Sequence, residues 1–254
     1  YFSLVHHVMD NLNRASANTM QAVTTVDARN VGGKLVTVHK AGDHSILAGI
    51  DYEDVWKNGE KVMTMKMIME GDTFISVKHT NVWNDAGYRN AGLFGEYMVP
   101  LKNTELTAAL RFDYNQAHSQ DTFRLVKDGN SYFDKTTSAF FNVSFGLGAR
   151  IRLPHGFYLN GALGLGTRSP SLLERFIKLM PVQFDSYDYL GNPQLKPEHN
   201  WQADLSADWR HPEIGVFSVG GFFSLITNYI TGKVLPPSVI KPSTQGAPGV
   251  KQFY

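Results

Sequence analysis

The sequence predicts an all-β protein, and more narrowly part of a transmembrane antiparallel β-barrel. Three observations lead there: long runs that alternate apolar and polar residues, aromatic residues at the ends of the apolar stripes, and connections that alternate between short and long. Period-2 alternation marks a strand whose two faces meet different surroundings. Aromatic ends suit the interfacial girdles of a membrane barrel, whose rims carry short turns on one side and long links on the other.

The elements follow in order. A first strand is expected over 1–12, with Phe2, Leu4, His6 and Val8 on one face and Tyr1, Ser3, Val5, His7, Met9 and Asn11 on the other. The pattern over 19–39 reads either as one long strand kinked near Gly32 and Gly33 or as a hairpin. Shorter patterns cover 45–54 and 89–99. Over 104–116, Leu106, Ala108, Leu110, Phe112 and Tyr114 oppose Glu105, Thr107, Arg111, Asp113 and Asn115. Over 138–153, Phe141, Val143, Phe145, Leu147 and Ile151 oppose Asn142, Ser144, Arg150 and Arg152. Further strands are expected over 156–168, 198–210 and 215–232, and in the second of these Trp201 and Trp209 end an apolar stripe.

The short links are 41–44, 100–103, 154–156 and 211–215, and the long ones run through 55–88, 117–137 and 168–198. A soluble sheet with one wet face would also alternate. Several patterns here reach 11 or more residues, against the usual five or six or so of a globular sheet. Nine or ten strands cannot leave open edges in lipid, where each unpaired backbone group costs several kcal/mol. The chain opens within a strand and closes on GVKQFY after a loop. Residues 1–254 are therefore expected to form one partial barrel domain, an internal piece of a larger barrel.

Composition narrows the function. With 24 Lys+Arg against 23 Asp+Glu, the net charge of +1 argues against a nucleic-acid partner, which calls for a clustered basic surplus. A hydrophobic content of 43% argues against disorder. No apolar run approaches the roughly 18–20 residues of a spanning helix, a test that barrels escape. No G-x-S-x-G elbow, no glycine-rich phosphate loop opening a helix and no His-x-x-x-His pair is present, so no enzyme and no resident cofactor are expected.

The segment LGLGTRSPSLLERF, followed by YLGNPQLKPEHNWQADLSADW, resembles the barrel of TonB-dependent outer-membrane receptors. Arg168, Pro170 and Glu174 match an Arg-x-Pro-x-x-x-Glu stretch. Gly191, Asn192, Pro193, Leu195, Pro197 and Glu198 match a Gly-Asn-Pro-x-Leu-x-Pro-Glu turn. The turn residues themselves are read as scaffold that delivers the chain into a strand. The resemblance implies a bacterial outer-membrane barrel of about 22 strands, a plug domain and a contact segment for the TonB complex. Neither plug nor contact segment occurs in these 254 residues.

The chemical lead is on the first strand. His7 and Met9 share a face and lie about 6–7 Å apart along it; imidazole and thioether suit copper, especially Cu(I). The string HHVMDN resembles the matching strand of TonB-dependent copper receptors, in which a barrel His-x-Met pair joins a Cys-x-x-x-Met pair of the plug. The chain has no Cys, and a similar strand occurs in relatives that carry organic metal chelates. In the link 55–88, Met63, Met65, Met67 and Met69 recur at every second position, offering either a row of thioether donors or flexible filling for a hairpin.

The expected function is active uptake of a metal, with copper as cargo, or of a metal chelate. The expected partners are outer-membrane lipid, the TonB complex and the ligand. The alternatives are a siderophore- or cobalamin-type receptor and a passive porin-like barrel.

Overall fold

A computed structural model describes residues 1–13, 20–69, 72–120, 126–127, 130–131, 136–181, 185, 187–236 and 249–254. The chain runs through β1 (Phe2–Asp10), β2 (Met20–Ala41), β3 (His44–Met69), β4 (Asp72–Leu101), β5 (Thr104–His118) and a minimal pair, β6 (Val126–Lys127) and β7 (Asn130–Ser131). It continues through β8 (Thr137–Arg152), β9 (Phe157–Arg168), helix α1 (Leu172–Phe176), β10 (Lys178–Pro181) and β11 (Asp188–Leu190). The last strands are β12 (Glu198–His211), β13 (Gly215–Thr227), β14 (Gly232–Val234) and β15 (Val250–Phe253).

Nine of these strands form one sheet in the order β1-β2-β3-β4-β5-β8-β9-β12-β13. Every neighbouring pair in it is antiparallel. Of the segment 19–39, residues 20–39 lie in a single strand: β2 pairs β3 without a break from Met20↔Met65 to Ala41↔His44.

One expectation is overturned. Residues 55–88 are not a loop, because β3 and β4 remain paired from Ser45↔Met98 out to Met69↔Asp72, with register shifts around Gly59. The polar residues that interrupt the alternation there, Asp54, Asn58 and Glu60, are held by cross-strand partners. Trp56 donates its indole N–H to Asp85, and Asp85 takes a positive φ of 45° at the shift. Of the link 117–137, residues 121–125, 128–129 and 132–135 lie outside the described residues.

Register fixes the two faces. Leu106 lies between Val99 and Ala149, Ala149 opposite Gly161, Gly161 opposite Leu205, and Leu205 opposite Gly221. Leu106, Leu110, Phe141, Leu163 and Leu205 are exposed on this apolar face. Aromatic side chains close its two edges. Phe157 and Phe217 stack on Trp209 with ring centroids 6.1 and 5.7 Å away. Trp201 meets Phe145 edge-on at 5.9 Å, and Phe112 stacks on Phe141. From Trp201 to Trp209 the strand runs about 27 Å; tilted by about 40°, that gives about 21 Å of height, close to the ~25 Å lipid band of such barrels.

The other face is polar. The Arg111 fork donates from Nη1 and Nη2 to Asp51 at 2.7 and 2.9 Å, and from Nε to Asp113 at 2.7 Å. It reaches Asp51 by crossing Gly92, where a Cβ would stand 2.3 Å from Nη2. Tyr88 and Tyr1 both donate to Glu53, at 2.8 and 3.1 Å.

Short turns gather at one end of the sheet, and at the other end the described parts of the segments after β9 and β13 fold over the polar face. There β10, β11, β15 and β14 make a second sheet, with β11 and β15 parallel. Phe176, Leu190, Leu195, Ile230 and Phe253 close a core against Trp83, Ala86 and Ala117 of β4 and β5. This core roofs the long-loop end of the inner wall.

Candidate functional site

The family-like motif is scaffold. Ser171 caps α1 in a capping box with Glu174, satisfying first-turn N–H groups that have no partner within the helix. Arg168 donates from Nη1 and Nη2 to the two oxygens of Glu174, at 2.9 and 3.1 Å, and from Nε to Glu198 at 2.6 Å. The second Glu198 oxygen accepts the Ile230 N–H at 2.7 Å. Gly191 donates to the Ile177 carbonyl and Asn192 to that of Glu174, at 2.7 and 2.8 Å. A Cβ on Gly191 would lie 2.5 Å from the Arg175 carbonyl, so the turn can close on α1 only with glycine there.

Arg175 is the buried cation of this roof, 1% exposed. It donates to the Pro170 carbonyl, to Ser138 Oγ at 3.0 Å and to Asn115 Oδ1 at 2.6 Å. Its guanidinium lies 5.6 Å from the Phe140 ring centroid. Burial drives its pKa down to about 10.

The metal candidates fall on the polar face. His7 is opposite Val26 and Met9 opposite Thr24. Val26 and Thr24 are in turn opposite Gly59 and Lys61, on the side of β3 that carries Asp51 and Glu53. His7 and Met9 therefore look inward together, while His6 looks outward and bonds Asp27 at 2.6 Å. Met9 is 41% exposed.

Met63, Met65 and Met67 share the same inner face of β3. Met63 is buried and Met67 exposed, Met65 is half-buried, and the Met69 side chain lies outside the described residues. The wall thus places the two candidate groups on one surface, with β2 between them, and does not merge them into one cluster. Among the described residues no three of His, Asp and Glu gather as a metal site.

Two features escaped the sequence reading. Met20 stands directly opposite Met65 across β2 and β3, adding a thioether to the row; its signal was the even-numbered run Met20, Ala22, Thr24, Val26. Lysines are also interleaved with the thioethers: Lys61 is buried beside Thr24, and Lys78 lies opposite Met63. Lys57 stands over the Trp83 ring at 5.5 Å. Burial lowers the pKa of both Lys57 and Lys61.

An antiparallel wall with one lipid-facing apolar side, aromatic girdles and a polar inner side under a loop roof defines a segment of an outer-membrane barrel. The sequence profile of the family described as TonB dependent receptor-like, beta-barrel matches residues 5–246, and the chain belongs to that family, whose members are receptors and transporters of the bacterial outer membrane rather than enzymes. The fold is similar to that of a copper transporter, OprC, at 17% identity and a TM-score of 0.72 over 99% of this chain and 37% of that one. It is also similar to the Serratia marcescens hemophore receptor HasR, solved with its hemophore HasA and heme, at 17% identity and a TM-score of 0.54 over 99% of this chain and 46% of that one. The chain spans less than half the length of either, and at this identity the likeness is one of fold. Among curated proteins no sequence match was found.

Proposed function

We propose that residues 1–254 are a partial barrel domain of a TonB-dependent uptake receptor whose cargo is a soft metal ion, with Cu(I) the best fit. The observation that carries this reading is the shared inward face of His7, Met9, Met20, Met63, Met65 and Met67 at the long-loop end. Thioether and imidazole donors suit Cu(I) and bind hard cations poorly. The likeness to a copper transporter agrees with it. His7 and Met9 supply two ligands, and a plug domain elsewhere in the receptor supplies the rest and contacts TonB. The β3 methionines receive the ion at the mouth and pass it down the wall.

The test is copper content of the intact receptor by elemental analysis. His7→Ala and Met9→Ala should each lower it by at least about tenfold, a loss of ~1.4 kcal/mol. Unchanged content in both variants overturns the copper reading.

A second reading is favoured by Lys57, Lys61 and Lys78. Three ammonium groups on the same inner face repel a bare cation and attract an anionic metal chelate. Under this reading Lys61→Gln weakens chelate uptake; under the first it strengthens copper capture. The sign of that change separates the two.

A further inference from the structure

On the outward face, three neighbouring strands bring two arginines onto one carboxylate. Val31 of β2, Asp54 of β3 and Arg89 of β4 share a register row, and Arg29 stands one same-face position along from Val31. Asp54 accepts from Arg89 Nε at 2.8 Å, and Arg29 Nη2 lies 3.5 Å from its other oxygen. Among the described residues Asp54 is the ion-pair partner of both. The carboxylate is 16% exposed, the arginines 50% and 63%. A guanidinium carries five N–H donors, so Asp54 takes up only a few of the ten, and the trio carries a net charge of +1.

Its height on the wall gives those donors a partner. On the same face Ile50, Leu93 and Tyr114 are exposed immediately below, together with Tyr52, whose hydroxyl donates to Asp54 at 3.5 Å, and above it β3 continues with Asn58 and Glu60. The arginines stand where the lipid-facing band ends at the long-loop rim, the level of the headgroups of that leaflet. Trp56, opposite Arg29, adds an aromatic side chain of the kind that settles at this depth.

We propose that Arg29 and Arg89 form a clamp for a lipid phosphate headgroup, with Asp54 holding the two forks side by side. Planar guanidinium forks match phosphate oxygens in bidentate geometry. Asp54 is a positioning residue whose negative charge also weakens the clamp. A stability role alone would make Asp54 purely favourable, which gives the proposal a test of sign.

The intact receptor, purified in detergent, is titrated with diphosphoryl lipid A, with phosphatidylcholine and with inorganic phosphate, and bound molecules are counted by native mass spectrometry. The clamp predicts retention of diphosphoryl lipid A at least about tenfold above phosphatidylcholine, abolished in the Arg29→Gln/Arg89→Gln variant. Asp54→Asn, which keeps a carbonyl acceptor between the forks and removes only the opposing charge, should retain the lipid as well as the native protein or better. Folding of each variant is checked by resistance of the barrel to detergent at room temperature. Equal retention by the native and double-glutamine proteins overturns the proposal. So does retention lost in a folded Asp54→Asn variant. Displacement of the lipid by millimolar inorganic phosphate would assign the site to the free ion and overturn the headgroup.

Discussion

Arg175 Nη2 donates to Asn115 Oδ1 at 2.6 Å, joining helix α1 to the inner face of β5 across 60 positions of sequence. Among the described residues no carboxylate pairs with this buried guanidinium, which is held by neutral oxygens and the face of Phe140. The bond ties a loop to the wall, and through the loop it fixes the roof on the inner face of β4 and β5.

Removing that tie should free the roof without unfolding the wall. Arg175→Met keeps much of the side-chain volume but leaves buried acceptors on Asn115, Ser138 and Pro170 unpaired, at about 1–3 kcal/mol for each one that water cannot reach. Hydrogen exchange should rise over 172–195 while β5 and β8 stay protected. Uniform loss of protection would show that the roof and wall unfold as one unit.

The two faces should respond oppositely to charge. Leu205 sits at the middle of the apolar stripe between Trp201 and Trp209, so Leu205→Arg should cost about 2–4 kcal/mol when unfolding is measured in lipid bilayers. Asp204, one residue earlier, faces the lumen and accepts from Gln202 at 3.0 Å. Asp204→Asn should change stability by no more than about 1 kcal/mol.

Gly92 should tolerate no side chain. A Cβ there meets Arg111 Nη2 at 2.3 Å and Asp51 Oδ1 at 2.6 Å, so Gly92→Val must push the fork off Asp51. A loss of about 1–3 kcal/mol is expected from this overpacking. Gly33, which has open space around the same position, serves as the control: Gly33→Val should be neutral or favourable in a strand.

The second sheet should loosen in acid. Lys251 Nζ donates to Asp185 at 2.5 Å, tying β15 to the segment before β11, and this bond is the main reason the Asp185 carboxyl lies below its ordinary 3.8. A depressed acid stabilises the fold above its unfolded pKa and loses that contribution as pH falls through the folded one. Protease sensitivity near 249–254 should therefore appear only below about pH 3.8. Lys251→Gln should raise that sensitivity at neutral pH and flatten its pH dependence; an unchanged profile would remove the pair from the account.

The nine wall strands, their two faces and the short-turn rim were legible in the sequence because period-2 alternation is a local property. Each residue records which solvent its side chain meets, and Leu205 beside Asp204 needs no distant partner to do so. The same rule placed His7 and Met9 on one face. The reach of β3 and β4 past Asp54 and Arg89 was legible only as an alternative, in the every-second-residue run from Met63 to Met69, because the apolar stripe of the outward face stops there and pairing is sustained by cross-strand bonds. The facing of Met20 and Met65 depended on register, which a chain acquires only once two strands meet. The roof was the least legible part. Arg175 resembles any helical surface cation until α1 folds onto β5, and the energy that buries it comes from Leu190, Leu195, Ile230 and Phe253, which are scattered along the chain. Sequence determined what each strand shows to lipid and to water; tertiary structure decided which strands meet, how far they run and what closes over them, because those depend on contacts between residues that are distant in sequence.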